Sequence, residues 1–315
     1  MIVVSKIASE FLEFFINLAL YLKAHKFDVV FKSQDKYNES IIKKYGFKIV
    51  RRFEKGDTVL FWNENKQSEV CKILNLKMWF FENGLFDNTL QCDSKGVNYN
   101  ISFSNLSYRD FLKYRYKETL LPEIEFKPIK IKHSLIKRLF LRINNKDYGF
   151  LYSIKYNFAR KKRLKKGGAL PENYVFWPLQ VSSDTQIQVH SDFDSMYQAL
   201  EYILTKVWTA SNIVLKEHPA ERENIDYSVF ENNRIKIINS DLSDLIDKSQ
   251  YVITINSSVG LQALEHGKKV VVLGSAMYRN IPQKEYTDHF RELFISGNWR
   301  QPTSVFLRKI AERIV

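Results

Sequence analysis

Residues 251–274, YVITINSSVGLQALEHGKKVVVLG, restrict the fold of this chain more than any other stretch. Tyr251–Ile255 has strand character and runs into Asn256-Ser257-Ser258. A short apolar-patterned segment follows, then Gly267 and a second strand, Lys269–Leu273. Strand, loop, helix and strand in that order form the repeating unit of a parallel α/β sheet. Ser257 or Ser258 stands where a helix N-cap belongs and Gly267 where a helix ends. The loop therefore presents hydroxyls and unpaired backbone N–H groups at the C-terminal edge of a sheet, a ready phosphate site. The same three residues also make a plain helix cap, so the loop alone does not decide between the two.

At 315 residues the chain suits two domains of about 150 residues each. The first half alternates strand and helix patterns: strands at Ile2–Val4, Asp28–Lys32, Lys48–Arg52, Thr58–Trp62 and Lys77–Phe81, and helices over Ser9–Lys23 and Gln67–Leu76. That alternation predicts a first Rossmann-like domain, residues 1–119. Its last strand runs into Glu82-Asn83-Gly84. A carboxylate at the C-terminal end of a parallel strand, beside a glycine that permits an unusual turn, occupies the place where open α/β sheets put their chemistry. A surface Glu in a loop fits the same residues. A further loop is expected over Asp93–Asn98. Residues 120–172 change character, with Pro122, Pro128, Pro171, a basic run and Gly167-Gly168, and are predicted to connect the domains.

The second domain, 173–315 with a final helix, opens on a strand, Tyr174–Val181, and a loop over Ser182–Gln188. A helix with apolar Met196, Ala199, Leu200, Ile203, Leu204 and Val207 follows, with Asp194 as its expected cap. The strand Ile213–Lys216 ends in Glu217-His218-Pro219. Arg234–Ile238 is a further strand, and Ser240-Asp241 caps the helix before the opening unit. Loops at Asp184, His218 and Ser257-Ser258 thus leave strand ends of one parallel sheet and should converge. Lys216 and His218 beside a Ser-Ser helix N-terminus make a compact site for one phosphate. There is no Walker A sequence and no Gly-x-Gly-x-x-Gly after a strand, which argues against a P-loop NTPase or dinucleotide enzyme. No His, Cys or Asp cluster has metal-ligand spacing, so neither metal nor cofactor is expected.

The net charge of +13 asks for an anionic partner. Much of it is local: Lys155, Arg160, Lys161, Lys162, Arg163, Lys165 and Lys166 stand together with no acid among them. Each is worth roughly 1 kcal/mol near an anionic leaflet, enough together to hold a protein on a membrane, although a solvated face has the same composition. No nucleic-acid reader motif accompanies the charge. The apolar stretch Phe11–Leu22 contains Glu13 and Asn17 and is too short to span a bilayer. Neither does it have the flanks of a signal peptide. Cys71 and Cys92 form no motif and read as free thiols in a reducing compartment. A cytoplasmic protein with a basic cluster able to hold it on a membrane surface is the expectation.

KEHP, INSSVGLQAL and GKKVVVLGSAMY resemble the C-terminal domain of glycosyltransferases that use CMP-activated sugars. FWPLQVSSDTQ at 176–186 and FFENGLFDNTLQCDSKGVN at 80–98 resemble the capsule polysaccharide biosynthesis family of KpsS/KpsC-type retaining β-Kdo transferases. The resemblance spans roughly residues 8–110 and 174–281. It implies an α/β, GT-B-like architecture of two Rossmann-like domains with parallel sheets facing a central cleft. It implies CMP-Kdo as donor and a lipid-linked or glycan acceptor in capsule or lipopolysaccharide synthesis. It further implies that Lys216 and His218 contact the CMP phosphate, with Asn256, Ser257 and Ser258 completing the nucleotide pocket. Asp184 is then the nucleophile and Glu82 the acid/base of a double displacement, while Gln180, Gln186 and Asn98 contact substrate. Asp184 also suits a cap preceding a helix. Where such transferases carry an Arg shortly after the Glu-x-Gly, this chain has Leu85-Phe86-Asp87-Asn88. A CMP-sialate transferase, a CDP-glycerol-type polymer synthase and a non-catalytic membrane-associated scaffold are the competing readings.

Overall fold

The computed structural model describes residues 1–5, 8–33, 35–131, 168–182, 185–207, 211–219, 221, 225–279 and 287–315. The chain forms two α/β units, 1–131 with 288–315, and 132–287. Each is built on a parallel Rossmann-like sheet, the make-up expected of a GT-B-like chain.

In the first unit, strands β1 (Ile2–Ser5), β2 (Val29–Lys32), β3 (Thr58–Trp62) and β4 (Lys77–Asn83) lie parallel in the order β2-β1-β3-β4. β1 is buried at all four residues, and β3 at its three central ones, Val59, Leu60 and Phe61. Both faces of a covered parallel strand must be apolar, which is why these segments read as continuous hydrophobic runs. The helix Leu12–Ala24 packs on the sheet through Phe14, Phe15, Leu18 and Leu22. The stretch 48–52 makes only a bridge, Ile49 to Phe31, instead of the expected strand.

A strand not anticipated, β5 (Thr89–Asp93), folds back antiparallel on β4, with Glu82 opposite Gln91. Thr-Leu-Gln-Cys-Asp lacks an apolar pattern because its polar side chains are buried in hydrogen bonds. Asp93 accepts from Lys95 N–H (2.7 Å), Ser102 N–H (3.0 Å), Ser102 Oγ (2.8 Å) and Tyr116 Oη (2.7 Å). Burial and the neighbouring Asp93 carboxylate push the Tyr116 phenol far above its usual range. The expected loop at 93–98 therefore begins inside a strand.

The second unit has five parallel strands, β6 (Tyr174–Pro178), β7 (Asn212–Lys216), β8 (Ile235–Ile237), β9 (Val252–Thr254) and β10 (Val270–Val272), in the order β10-β9-β6-β7-β8. β6 is wholly buried at the centre and ends at Pro178, not at Val181. Residues 185–190, expected as loop, form a helix. Ser195, not Asp194, caps the helix Met196–Tyr202: its hydroxyl accepts from Gln198 N–H.

The chain then returns to the first unit. β11 (Ile295–Ser296) pairs antiparallel with β5, and the helix Ser304–Ile314 joins the first core through Phe306, Leu307, Ile310 and Ile314. The final helix, expected in the second domain, thus completes the first. Its apolar stripe needs a partner, and the Leu12–Ala24 helix supplies one, with Phe14 and Phe306 rings 6.4 Å apart. Residues 114–131, placed partly in a connecting region by their sequence, are also part of this unit. Thr119 N–H donates to the Glu312 carbonyl (2.7 Å), and two carboxylates hold the rest: Leu121 N–H reaches Glu312 Oε1 (3.1 Å) and Ile131 N–H reaches Glu13 Oε2 (2.7 Å). Asn17, fully buried, accepts from Ile129 N–H at 2.7 Å and donates to its carbonyl at 3.0 Å.

Among the described residues no helix is long and apolar enough to cross a membrane. The cluster Lys155–Lys166 lies outside the described residues. Asn17→Leu leaves the Ile129 N–H and carbonyl without their partner. It should lower unfolding stability by about 1–3 kcal/mol, read from urea denaturation. An unchanged midpoint would show that this strap of residues 114–131 contributes nothing to the first unit.

Candidate functional site

The second sheet starts at β6, adds β7 and β8 on one side, then crosses to β9 and β10 on the other. β6 and β9 therefore flank the switch point, where the loops leaving the strand ends diverge and open a crevice. Gln180 follows β6 and Asn256 follows β9. The two amides bond reciprocally: Gln180 Nε2 donates to Asn256 Oδ1 at 2.9 Å, and Asn256 N–H donates to Gln180 Oε1 at 3.0 Å. Both residues are buried. Asn256 Nδ2 also reaches the His190 carbonyl at 3.4 Å.

Beyond Asn256, Ser257 caps the helix Ser258–Glu265, its hydroxyl accepting from Val259 N–H at 3.3 Å. Ser257 N–H donates to Thr254 Oγ1 at 3.0 Å, and its carbonyl accepts from the Tyr278 hydroxyl. Ser257 is thus held at three points. Ser258 is half-buried, and its hydroxyl has no partner among the described residues. Tyr278 is fully buried and burial drives its phenol well above the normal range, so it acts as a neutral donor to the loop. It approaches so closely that a Cβ on Gly260 would lie 2.8 Å from its Cζ.

On the other flank, β7 ends at Lys216 and is followed by Glu217, His218 and Pro219. Glu217 is buried and exchanges bonds with Asn239: its N–H donates to Oδ1 (3.0 Å) and its Oε2 accepts from Nδ2 (3.1 Å). His218 is half-buried, and its carbonyl accepts from Glu221 N–H at 3.1 Å. Glu221 accepts from Ser182 N–H at 2.8 Å, while Ser182 Oγ lies 2.9 Å from Tyr227 Oη. The β6 loop is therefore tied to both neighbours, to β9 by Gln180 and to β7 by Ser182. Lys216 Nζ donates to the Ser240 carbonyl, across towards β8. Burial lowers the Lys216 pKa, and the Asp241 charge partly opposes that fall. Asp184 lies outside the described residues, as does the side chain of Gln186.

In the first unit, Glu82 lies on β4 where its neighbour is the antiparallel β5. It does not start a strand-to-helix loop. A Cβ on Gly84 would sit 2.7 Å from Thr89 Cβ, so this glycine serves the tight return to β5. The Glu82 carboxylate accepts from Asn63 Nδ2 (2.9 Å), Asn83 N–H (2.7 Å) and Asn83 Nδ2 (3.0 Å). Asn63 is held at φ +59° to aim its amide. Opposite, Gln91 bonds Asn98 twice: its Oε1 accepts Asn98 N–H at 2.6 Å and its Nε2 donates to Asn98 Oδ1 at 3.1 Å. Glu82 and Asn98 are thus neighbours through Gln91. Three donors thus fix the orientation of the Glu82 carboxylate at the end of β4.

Asn63, Gln91, Thr254, Glu221, Asn239 and Tyr278 were not singled out by sequence. Tyr278 closes the GKKVVVLGSAMY stretch, but its close approach to Gly260 is visible only in the folded chain. Among the described residues no group of three His, Cys, Asp or Glu side chains could hold a metal ion. Cys71 and Cys92 are buried thiols whose pKa values are raised by desolvation, that of Cys71 to about 11, so neither is a nucleophile at neutral pH.

Residues 151–282 match the family model described as capsule polysaccharide biosynthesis protein. Among curated proteins, the chain is 29% identical over 211 residues to protein FixF of Sinorhizobium fredii, covering 64% of this chain and 44% of that one. It is 33% identical over 116 residues to the capsule polysaccharide modification protein LipB of Neisseria meningitidis, covering 32% and 28%. The chain thus spans less than half the length of these relatives. Among solved structures, KpsC of Thermosulfurimonas dismutans, a beta Kdo 2,7 transferase, aligns with a TM-score of 0.46 at 16% identity, over 88% of this chain and 80% of that one.

Gly260→Ala places a methyl against Tyr278 and should destabilise by roughly 1–3 kcal/mol. Adding Tyr278→Leu should restore part of that loss, a non-additive pair in chemical denaturation. Simple addition of the two effects would mean that Tyr278 does not pack on Gly260.

Proposed function

We propose, from the match of residues 151–282 to the capsule polysaccharide biosynthesis family model, that the chain is a retaining glycosyltransferase moving Kdo from CMP-Kdo to a lipid or glycan acceptor. The observation that carries this reading is the Gln180–Asn256 bridge at the switch point of the second sheet. It fixes the Ser257–Ser258 helix start beside the β6 exit, with the His218 loop tied to the same exit through Ser182 and Glu221. Nucleotides bind at this place in open α/β sheets. The donors gathered there are hydroxyls, helix N–H groups and one imidazole, a set suited to a single phosphate.

In this mechanism the Asp184 carboxylate attacks the anomeric carbon of Kdo, and CMP departs with the bonding electrons. His218 and the helix start stabilise the charge gathering on the leaving phosphate. An acceptor hydroxyl, its proton taken by a general base, then displaces Asp184, and Glu82 is the residue that the family resemblance implies for that base. Two displacements at one carbon retain configuration. The basic run Lys155–Lys166 supports work at an anionic inner-membrane surface, where lipid-linked acceptors reside.

Titration with CMP, CDP and UDP, followed by thermal shift or calorimetry, tests the donor class. CMP should stabilise the protein selectively. His218→Ala, which removes a hydrogen bond to a charged group worth about 1.5–3 kcal/mol, should weaken CMP at least tenfold. Indifference to all three nucleotides would remove the reading, and a preference for UDP would replace the donor.

Affinity for CMP should also fall as the pH rises through the Lys216 pKa, because only the ammonium attracts phosphate. Burial lowers that pKa, so the fall should begin below about 10.4, where a free lysine titrates, and should vanish in Lys216→Met. An alkaline limb unchanged in Lys216→Met would take Lys216 out of the phosphate site.

A further inference from the structure

The segment that returns to the first unit lies outside the matched span, and part of it arrives beside Glu82. Trp299 Nε1 donates to Asn83 Oδ1 at 2.8 Å, and Asn83 in turn donates to Glu82. The Trp299 ring packs against Phe11 at 5.1 Å and Trp62 at 4.9 Å, and those two rings stack on each other at 4.0 Å. Trp299 is buried, whereas Phe11 and Trp62 are half-buried and leave an aromatic edge open. Phe11 leads into the helix after β1 and Trp62 ends β3. β1 and β3 flank the switch point of the first sheet, so this edge stands at its crevice.

Arg300 adds a charge. Its guanidinium lies over the Trp299 ring, 4.2 Å from the centroid, and the Arg300 backbone N–H donates to Asn298 Oδ1 at 2.9 Å. It is exposed and has no carboxylate partner among the described residues. The exposed part of the Phe11–Trp62 pair offers aromatic surface to the C–H face of a sugar ring, and a carboxylate with amides around it bonds hydroxyls. A guanidinium held flat on an indole is set for a bidentate carboxylate. A bare phosphate would leave the aromatic edge unused, and a neutral sugar would leave the cation unused.

We propose that Trp299 and Arg300, with Phe11, Trp62, Asn83 and Glu82, build a subsite in the first unit that selects a carboxylate-bearing sugar over its neutral counterpart. Its role as the acceptor subsite rests on the transferase reading, whereas its capacity to bind a sugar does not.

The test uses the full chain without nucleotide, titrated with glucuronate and with glucose and followed by the Trp indole N–H resonances. Trp299→Phe assigns the Trp299 signal. Glucuronate should move that signal at concentrations several-fold below those glucose requires. Arg300→Ala, an exposed change whose unfolding midpoint should match the parent, should bring glucuronate to the level of glucose, and Arg300→Lys should recover part of the preference. No movement with either sugar would overturn the subsite. So would equal affinities that Arg300→Ala leaves unchanged. A protein that binds glucuronate but ignores every cytidine nucleotide would keep the subsite and lose the transferase reading.

Discussion

The second unit depends on one buried pair of amides. Gln180 and Asn256 sit on loops that the topology drives apart, because the chain leaves β6 towards β7 and returns to the sheet on the opposite side at β9. Loops at such a point have backbone groups with no ladder partner, and buried polar groups without partners cost about 1–3 kcal/mol each. The reciprocal bond answers both needs: Asn256 N–H is satisfied, and the two loops are fixed at one separation. Ser257 inherits that fixation through Thr254 and Tyr278. The amide pair thereby fixes where the helix after Ser257 begins.

The first unit solves a different problem. Its parallel strands need cover on both faces, yet residues 1–131 offer few long helices. The chain recruits its own end: the helix Ser304–Ile314 lies against Leu12–Ala24, and residues 114–131 are strapped on by Asn17, Glu13 and Glu312. Arg313 closes the strap. Its guanidinium donates to Glu118 Oε1 at 3.0 and 3.2 Å and to the Leu293 carbonyl at 3.0 Å, and lies over the Tyr116 ring. Because the returning segment is structural, Trp299 reaches Asn83 as a fixed donor.

Much of this was legible in the sequence wherever burial imposes a pattern. β1, β3, β6 and β7 are apolar runs, and Ser257, Gly267 and Asp241 mark helix ends by side-chain chemistry that depends on a few neighbours. β5 was not legible, since Thr89, Gln91 and Asp93 are buried polar residues whose partners, Ser102 and Tyr116 among them, lie elsewhere in the chain. The same holds for the candidate site. Asn256, Ser257, His218 and Glu82 announce themselves by their place at strand ends. Glu221, Asn239 and Asn63 matter only through hydrogen bonds to residues about 20 to 40 positions away. The final helix was misplaced because nothing in its own stripe of Phe306, Leu307 and Ile310 says which core it completes.

Charge supplies the last step. The His218 loop is flanked by two buried carboxyl groups, Glu217 and Glu221, each accepting hydrogen bonds from neighbouring loops. They cannot be withdrawn without breaking those loops, so any anion bound beside His218 feels them, and in a buried setting that repulsion is weakly screened. Each further phosphate brings further negative charge against the same two groups. Lys216, partly desolvated and bonded to the Ser240 carbonyl, is the one ammonium proposed to offset it. The proposed nucleoside monophosphate leaving group brings the least negative charge against those two carboxyl groups. In the proposed reading, a preference for CMP over a diphosphate would rest on the carboxyl groups that hold the loops together as much as on the donors that greet the ligand.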